Sequence, residues 1–296
     1  MAHILCIGDA MLDVIVKMQG QMYLSSDTVS QISTHGGGAA ANTATWLASS
    51  GHKVFYVCRI GDDAAGRVIA NEFDAWNIDY KPELLREHRT GIVVVLVDQN
   101  GERSMFPDRG ANSGLSELDL PDLSKFSAVF LSGYALFNPH SQAGVLRMIK
   151  KIREANLEIF FNPGTLGVMN ALGPYACRER CRLMDLLIMN QGEAEFLTGK
   201  NDIEAALIEL SNDVETVVIT RSSQGAVGKS RGKETIVSAI QPIDSIDSTG
   251  AGDAFAAGFM GSWIEAKDLE SSLRAGNTLA SQCVKTIGAR PSVNPQ

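Results

Sequence analysis

The stretch Asp247-Ser-Thr-Gly250-Ala251-Gly252-Asp253 places small, flexible residues directly before an apolar run that opens Ala-Phe-Ala-Ala-Gly. That order predicts a helix whose first backbone N–H groups lack intrahelical partners, so the amides near Gly250, Ala251, Gly252 and Asp253 can hold an anion. Glycine lets the backbone approach a phosphate closely, and an aspartate at the same mouth can take a proton from an attacking hydroxyl. The alternative is a plain helix cap, with Asp253 doing nothing further. Thr34-His35-Gly36-Gly37-Gly38-Ala-Ala-Ala-Asn42 is a second glycine turn feeding a helix. Asn42 is a poor helix former, and its amide can read a hydroxyl at a glycine-lined mouth. Asp9 and Asp13 follow the first apolar run, and Asn190-Gln-Gly-Glu193 follows another. The latter pair is either a capping box or a polar couple that organises hydrated Mg2+.

The elements that must position these groups alternate. His3–Gly8 reads as a buried strand stopped by Gly-Asp, Ala39–Ser50 as a helix ended by Gly51, Lys53–Cys58 as a strand and Ala64–Trp76 as a helix. Further strands are predicted at Ala128–Leu131, Glu158–Phe161, Leu186–Met189 and Thr216–Thr220. Helices at Ser141–Ala155, Pro174–Arg182, Glu193–Leu197 and Asp202–Ser211 separate them. A strand pair near Ala226–Ser230 and Thr235–Ala239 precedes two closing helices, Gly252–Glu265 and Leu269–Lys285. Such alternation predicts an α/β core with a parallel sheet and crossover helices, and open sheets of that kind bind ligands beyond the carboxyl ends of their strands. Two strand-rich stretches, about residues 13–35 and 80–112, interrupt the alternation. The second reads as a hairpin, Gly91–Val97 turning at Asn100-Gly101 into Glu102–Phe106. Paired in space, the two stretches form a small β-sheet able to cover a site at one edge. With no repeat, linker or low-complexity segment, residues 1–296 read as one domain with a β-rich appendage.

Composition removes other classes. The 296 residues are 45% hydrophobic and carry a net charge of -8, without the basic excess of a nucleic-acid binder. The longest apolar runs, such as Ile92–Val97, fall far short of the ~20 residues of a membrane helix. The first residues lack the order of a signal peptide, so a soluble, cytoplasmic protein is expected. Among the five cysteines only Cys177 and Cys181 are close together, with no nearby Cys or His to complete a zinc site; reduced structural thiols are expected. Gly225-Ala-Val-Gly228-Lys229-Ser230 ends like a P-loop, but Ser223 stands where that motif needs glycine and the stretch is β-rich. No Gly-x-Gly-x-x-Gly follows the first strand, no Gly-x-Ser-x-Gly is present, and the five histidines lack ligand spacing.

Taken together, these motifs resemble the PfkB/ribokinase family of sugar and nucleoside kinases, nearly end to end. Asp247–Asp253 looks like the family's C-terminal signature. Gly36-Gly37-Gly38-Ala-Ala-Ala-Asn42, continuing through Arg59-Ile-Gly-Asp-Asp63-Ala-Ala-Gly66, looks like the N-terminal one. Asn190-Gln-Gly-Glu193 fits its Asn-x-x-Glu motif. The resemblance implies a three-layer α/β/α core with a mostly parallel sheet and a small β-sheet lid. It implies Asp253 as general base and Gly250, Ala251 and Gly252 as the anion hole. Asp13, Gly37, Gly38 and Asn42 would bind the sugar, with Asn190 and Glu193 supporting Mg2+ through water. Thr220, Ser222 and Gly225 resemble the strip along the nucleotide phosphates and ribose, and Asn277 the adenine-side residue. Asp247 and the loop Ile287–Pro291 resemble a monovalent-cation site, so ATP, Mg2+ and K+ are the implied cofactors.

Two positions depart from the ribokinase pattern. Met11 stands where ribokinases carry an asparagine, a loss for which Asp9 can compensate. Arg109 is added where a cation can meet an acidic sugar or a phosphate, the alternative being a solvated side chain or one paired with Asp108. The expected activity is ATP-dependent phosphorylation of a hydroxymethyl group on a small sugar, ribokinase-like first, with fructokinase, 2-keto-3-deoxygluconate kinase and nucleoside kinase as alternatives. A catalytically silent sugar-binding regulator is the alternative of a different class, although intact Asp253, glycines and Asn-x-x-Glu argue against it. The open edges of a small sheet also predict a homodimer through the lid.

Overall fold

Apolar side chains alternate between two faces along each central strand. In the first, Ile4 and Cys6 join one core cluster while Leu5 and Ile7 join a second. The same alternation splits Phe130 from Val129 and Leu131, and Phe160 from Ile159 and Phe161. A period of two with both faces apolar is the mark of a sheet covered on both sides. The computed structural model describes residues 2–81, 84–241 and 243–291. Its strands are β1 (His3–Ile7), β2 (Met11–Met18), β3 (Ser30–Gly37), β4 (Lys53–Val57), β5 (Asp79–Tyr80), β6 (Gly91–Val97) and β7 (Arg103–Asp108). After these come β8 (Ala128–Ser132), β9 (Glu158–Asn162), β10 (Leu186–Asn190), β11 (Thr216–Thr220), β12 (Ala226–Ser230) and β13 (Ile236–Ser238). The helices are α1 (Ala39–Ser49), α2 (Ala64–Ala75), α3 (Gly133–Phe137), α4 (Gln142–Glu154) and α5 (Leu166–Leu172). They continue with α6 (Pro174–Cys181), α7 (Gln191–Thr198), α8 (Ile203–Asp213), α9 (Ala251–Ala266) and α10 (Leu269–Cys283).

Nine strands form one sheet in the order β13-β12-β11-β10-β9-β8-β1-β4-β5, parallel except at β12 and β13. Helices α1, α2, α9 and α10 supply one face and α3 to α8 the other, giving the three-layer core. Residues Ala254 to Gly261 of α9 are all buried, because the helix lies between α1 and α10. From β1 the chain proceeds outward to β4 and β5, then returns to lay β8 on the other side of β1. Neighbouring crossovers therefore diverge at β1/β8, and a crevice opens beyond the carboxyl ends there.

Four strands form a second sheet, β3-β2-β6-β7, with β2 and β6 parallel at its centre. It draws on both strand-rich stretches, with two differences from expectation. Residues Asp79–Tyr80 pair with β4 in the large sheet, and Gly36 and Gly37 continue β3 instead of forming a turn. Only Gly38 turns the chain, at φ 97°. Short helices α3 and α5 were not foreseen, since each is too brief to establish a helical period. The expected strand pair at residues 226–239 is β12–β13, so the false P-loop lies in a strand.

Each glycine of Gly36-Gly37-Gly38 is required for its own reason. A Cβ at Gly36 would strike Glu72 and Arg290, one at Gly37 the Asp13 carboxylate, and one at Gly38 the carbonyl of Asp9, 2.0 Å away. Gly51 also has positive φ, but a Cβ there meets nothing within 4 Å. Gly51→Ala is therefore expected to cost about 1–2 kcal/mol, the backbone term alone. Gly38→Ala is expected to cost clearly more, with chemical-denaturation midpoints as the measure; equal losses would show that the contact with Asp9 relaxes freely.

Candidate active site

Three parallel strands and the start of α9 deliver the predicted polar groups to one crevice. Asp9 lies just past β1, Asn190 ends β10, Thr220 ends β11, and Asp253 sits in the first turn of α9. A cavity of about 230 Å³ lies among Tyr134, Asn162, Asn190, Glu193, Gly252 and Asp253. A second, of about 210 Å³, is lined by residues that include Ser222, Gly225, Phe255 and Asn277. Both are lined by Thr220 and Gly252, so the two adjoin there, with Asp253 in the wall of the first.

At its base, Gly250 takes a left-handed conformation (φ 78°, ψ 0°) to start α9. A Cβ there would press into Ala289, whereas one on Gly252 would meet nothing within 4 Å. Space thus stands open over the first turn. The Ala251 amide makes a long 3.3 Å bond to the Ser248 carbonyl, leaving the following N–H groups, Gly252 and Asp253, at a helix start that attracts negative charge.

Burial pushes the Asp253 carboxyl up to about 7, against the opposing pull of a hydrogen bond from Asn42 and the charge of Arg290. Asn42 Nδ2 donates to Asp253 Oδ2 at 2.9 Å, and Asn42 Oδ1 accepts from Arg290 Nε at 3.0 Å. The costly asparagine of α1 is therefore engaged with the aspartate instead of standing free. Asp13 projects from β2 against Gly37, and its buried Oδ1 has no hydrogen-bond partner. Burial raises this carboxyl to about 6, a shift opposed by Arg290 and reinforced by Glu72. A buried acceptor left unpaired carries a desolvation cost that a donor hydroxyl would remove.

The capping-box reading of Asn190 and Glu193 is the one the geometry displays. Asn190 caps α7 in a capping box, with Glu193 Oε1 accepting from Asn190 Nδ2 at 2.7 Å and Oε2 from its N–H at 2.9 Å. Glu193 is nonetheless 3% exposed and faces the cavity. Burial raises its carboxyl to about 7; the Asn190 bonds oppose the rise and the Asp253 charge adds to it. In the second cavity, Asn277 donates to the Ser238 carbonyl at 2.9 Å and its hydroxyl at 3.0 Å. Gly225 folds back at φ 80°, where a Cβ would meet the Ser238 carbonyl at 2.1 Å.

Three further positions have partners far away in the chain. Arg109 neither faces solvent nor pairs with Asp108: it grips Asp9 through Nε (2.6 Å) and Nη2 (2.5 Å), and Nη1 donates to Ser141 Oγ at 3.0 Å. The Asp9 carboxylate is thereby engaged, and Met11 is 4% exposed with its sulfur 3.5 Å from Asn112 Nδ2. At Asp247, burial would raise the carboxyl, but bonds from Thr249, Gly288 and Arg103 outweigh it and bring it to about 2. Arg103 comes from β7 of the small sheet; Nη2 donates to Asp247 Oδ1 at 2.8 Å, and Nη1 reaches Thr249 Oγ1. Neither Arg103 nor Arg290 was singled out individually from sequence, and nothing in the pattern of α2 marks Glu72. Arg290 did lie in the implicated loop Ile287–Pro291, the only signal available.

Comparison with known proteins joins this geometry to a family. The ribokinase of Haemophilus influenzae is 28% identical over 265 residues, covering 87% of this chain and 83% of that one. The fructokinase of Salmonella typhimurium is 28% identical over 294 residues, covering 95% and 92%. The solved Arabidopsis thaliana ribokinase complexed with ribose and ATP superposes with a TM-score of 0.83 at 24% identity, over 97% of this chain and 94% of that one. The family model described as pfkB family carbohydrate kinase matches residues 1–296. The chain, whose cavities meet a half-buried aspartate on a glycine-led helix, belongs to the pfkB family of carbohydrate kinases.

Proposed function

We propose that the protein transfers the terminal phosphoryl group of ATP to a hydroxymethyl group of a small sugar, ribose-like first, with Asp253 as general base. The observation that carries this reading is the pair of adjoining cavities, one lined by Asn277 and the other by Asp253, that share Thr220 and Gly252, with open space over Gly252. ATP lies along Asn277, Gly225, Ser222 and Thr220, and the Gly250–Gly252 turn faces the transferring group. Phosphoryl transfer asks a protein mainly for position and charge stabilisation, and a donor aimed at developing charge contributes about 3–4 kcal/mol. The sugar sits between Asp13 and Gly37–Gly38, where the unpaired Asp13 oxygen accepts a hydroxyl proton. Asn42 orients Asp253 toward it. Arg109 shapes this end through Asp9. Fructose, 2-keto-3-deoxygluconate and nucleosides remain alternative acceptors. The small sheet closes over the sugar and excludes water, which otherwise competes as acceptor.

Among the described residues no group of three or more His, Cys, Asp or Glu side chains is arranged to hold a metal ion. A Mg2+ that keeps most of its waters and binds mainly nucleotide phosphates needs no such cage. Glu193 and Asn190 fit that role, because a buried carboxylate faces the cavity where the phosphates lie. Mg2+ supplies neutralisation of phosphate charge. For K+ the donor set fits only with Arg103 withdrawn, since in this arrangement its guanidinium balances the Asp247 charge.

The five cysteines are free, in keeping with a reducing, cytoplasmic setting. No helix among the described residues is long and apolar enough to cross a membrane. Exposed Ile32 and Phe106 share one face of the small sheet, whose outer strands β3 and β7 have open edges. We assign this surface to a second copy of the chain.

ADP release with ATP, Mg2+ and K+, screened over ribose, fructose, 2-keto-3-deoxygluconate and adenosine, is expected to give one clear acceptor. Asp253→Asn should lower its turnover by about 10²–10⁴-fold with ATP binding retained; near-native turnover would remove Asp253 as base. The same variant bears on stability. A carboxyl raised from 3.8 to about 7 on folding is more protonated in the folded than in the unfolded state between those values. Its cost is absent below about pH 4 and grows until about pH 7. Asp253→Asn is therefore expected to melt higher than the native protein at pH 8, by about 2–4 °C per kcal/mol, and alike at pH 4.

Arg103→Ala should lower the K+ concentration giving half-maximal rate, whereas equal rates in K+, Na+ and choline for both proteins would remove the cation. Light scattering should find a dimer, and a monomer at every working concentration would remove the second copy.

A further inference from the structure

The two ends of an asparagine side chain are nearly alike in shape but opposite in hydrogen bonding. Asn42 is 6% exposed and touches a carboxylate with one end. Turned the other way, its carbonyl oxygen would meet Asp253 Oδ2, acceptor against acceptor. What decides the orientation lies at the far end of the amide. There Arg290 Nε donates to Asn42 Oδ1 at 3.0 Å, and a guanidinium has no acceptor to offer and keeps its proton in proteins. Only the amide oxygen can face it.

Arg290 is itself held on three elements. Its Nε reaches Asn42 on α1, its Nη1 pairs with Glu72 on α2, and its Nη2 donates to the Gly37 carbonyl at the end of β3 at 3.0 Å. The Glu72 carboxylate, through its other oxygen, accepts from the Gly36 N–H at 3.0 Å. The ion pair occupies the space that a side chain at Gly36 would fill. The arginine's own loop is pinned twice just before it: Gly288 N–H donates to Asp247 Oδ2 at 3.1 Å, and the Ala289 carbonyl accepts from Trp46 Nε1 at 2.9 Å. Its side chain is 11% exposed. It has no opening onto the nucleotide cavities, neither of which it lines.

We infer that Arg290 is a positioning residue for phosphoryl transfer: held by Glu72, it fixes the Asn42 amide so that an N–H, and not an oxygen, faces Asp253. The inference rests on Asp253 acting as base. The other ionisable groups facing Asp253 are Glu193 of α7, Tyr134 of α3 and Cys283 of α10, and Asp13 of β2 faces Arg290. Arg290 is the cation among them. With it gone, the Asn42 amide is free to turn and Asp253 loses both a fixed donor and a positive neighbour. The base then takes up its proton at higher pH, and the rate falls mainly on the acidic side.

The test is the pH dependence of kcat in Arg290→Met and in the double variant R290M/E72L, which removes both partners of the ion pair so that neither charge is stranded. Both are expected to move the acidic limb upward by about one pH unit and to lose about tenfold or more in rate at pH 6.5. The rate should recover toward pH 9, with KM for ATP little changed. Arg290→Lys, which keeps a donor, should restore part of the loss. Adding Arg290→Met to Asn42→Ala should cost less than Arg290→Met costs the native protein, because the part of its effect that passes through the amide is already lost and only its charge on Asp253 remains. A loss equal at every pH, an unmoved acidic limb, or full additivity with Asn42→Ala would each overturn the inference. If Asp253→Asn stays active, the reading of Asp253 as base fails instead; an inactive Asp253→Asn beside an unmoved limb in Arg290→Met fails this inference alone.

Discussion

Keeping the Asp253 carboxylate out of water is costly, and much of the surrounding structure offsets that cost. An isolated buried carboxylate takes up a proton sooner than remain charged in a medium of low polarity. Here burial lifts the group only to about 7, because an amide N–H and a guanidinium act in the other direction. Those two groups, with the Glu72 that holds the second, come from positions 42, 72 and 290 and meet only once the chain is folded. The local electrostatics are therefore a tertiary property, and no single motif contains them.

The parallel sheet explains why such distant residues can meet at all. Every parallel strand ends on the same side, so Asp9, Asn162, Asn190 and Thr220 reach one edge from four crossover units. The divergence of crossovers at β1/β8 leaves the edge uncovered. The rim is then completed from two sides: α9 brings its open first turn, and the small sheet brings Asp13 and Arg103. Arg103 joins the two bodies directly, since it bonds the same Asp247–Thr249 turn that leads into Gly250.

Much of the fold was legible because its signals are local. Alternating apolar strands, glycine-ended helices and the Asn-Gly turn appear in sequence as short patterns, and β11 and β12 fall where they were read. The site motifs were equally local: Asp247–Asp253 and Asn190–Glu193 each occupy a single turn at an element boundary. What escaped were pairings. Arg109 with Asp9 spans 100 residues, Arg103 with Asp247 spans 144, and Arg290 with Glu72 spans 218. A charged residue on an amphipathic helix looks the same whether its partner is water or a buried arginine. The glycine triplet was read as one turn, yet it serves three separate neighbours, and only the packed structure reveals them.

The central pairing of the small sheet bears on how the molecule comes together. Strands β2 and β6 lie side by side in parallel, but β6 begins only after α1, β4, α2 and β5 have been threaded through the large sheet. The pair has no hairpin to nucleate it, and its loop-closure entropy is offset only when the core has already drawn its ends near. The two outer strands have local partners, whereas the middle of the sheet does not. Loop-closure entropy therefore favours pairing β2 with β6 after the core has formed.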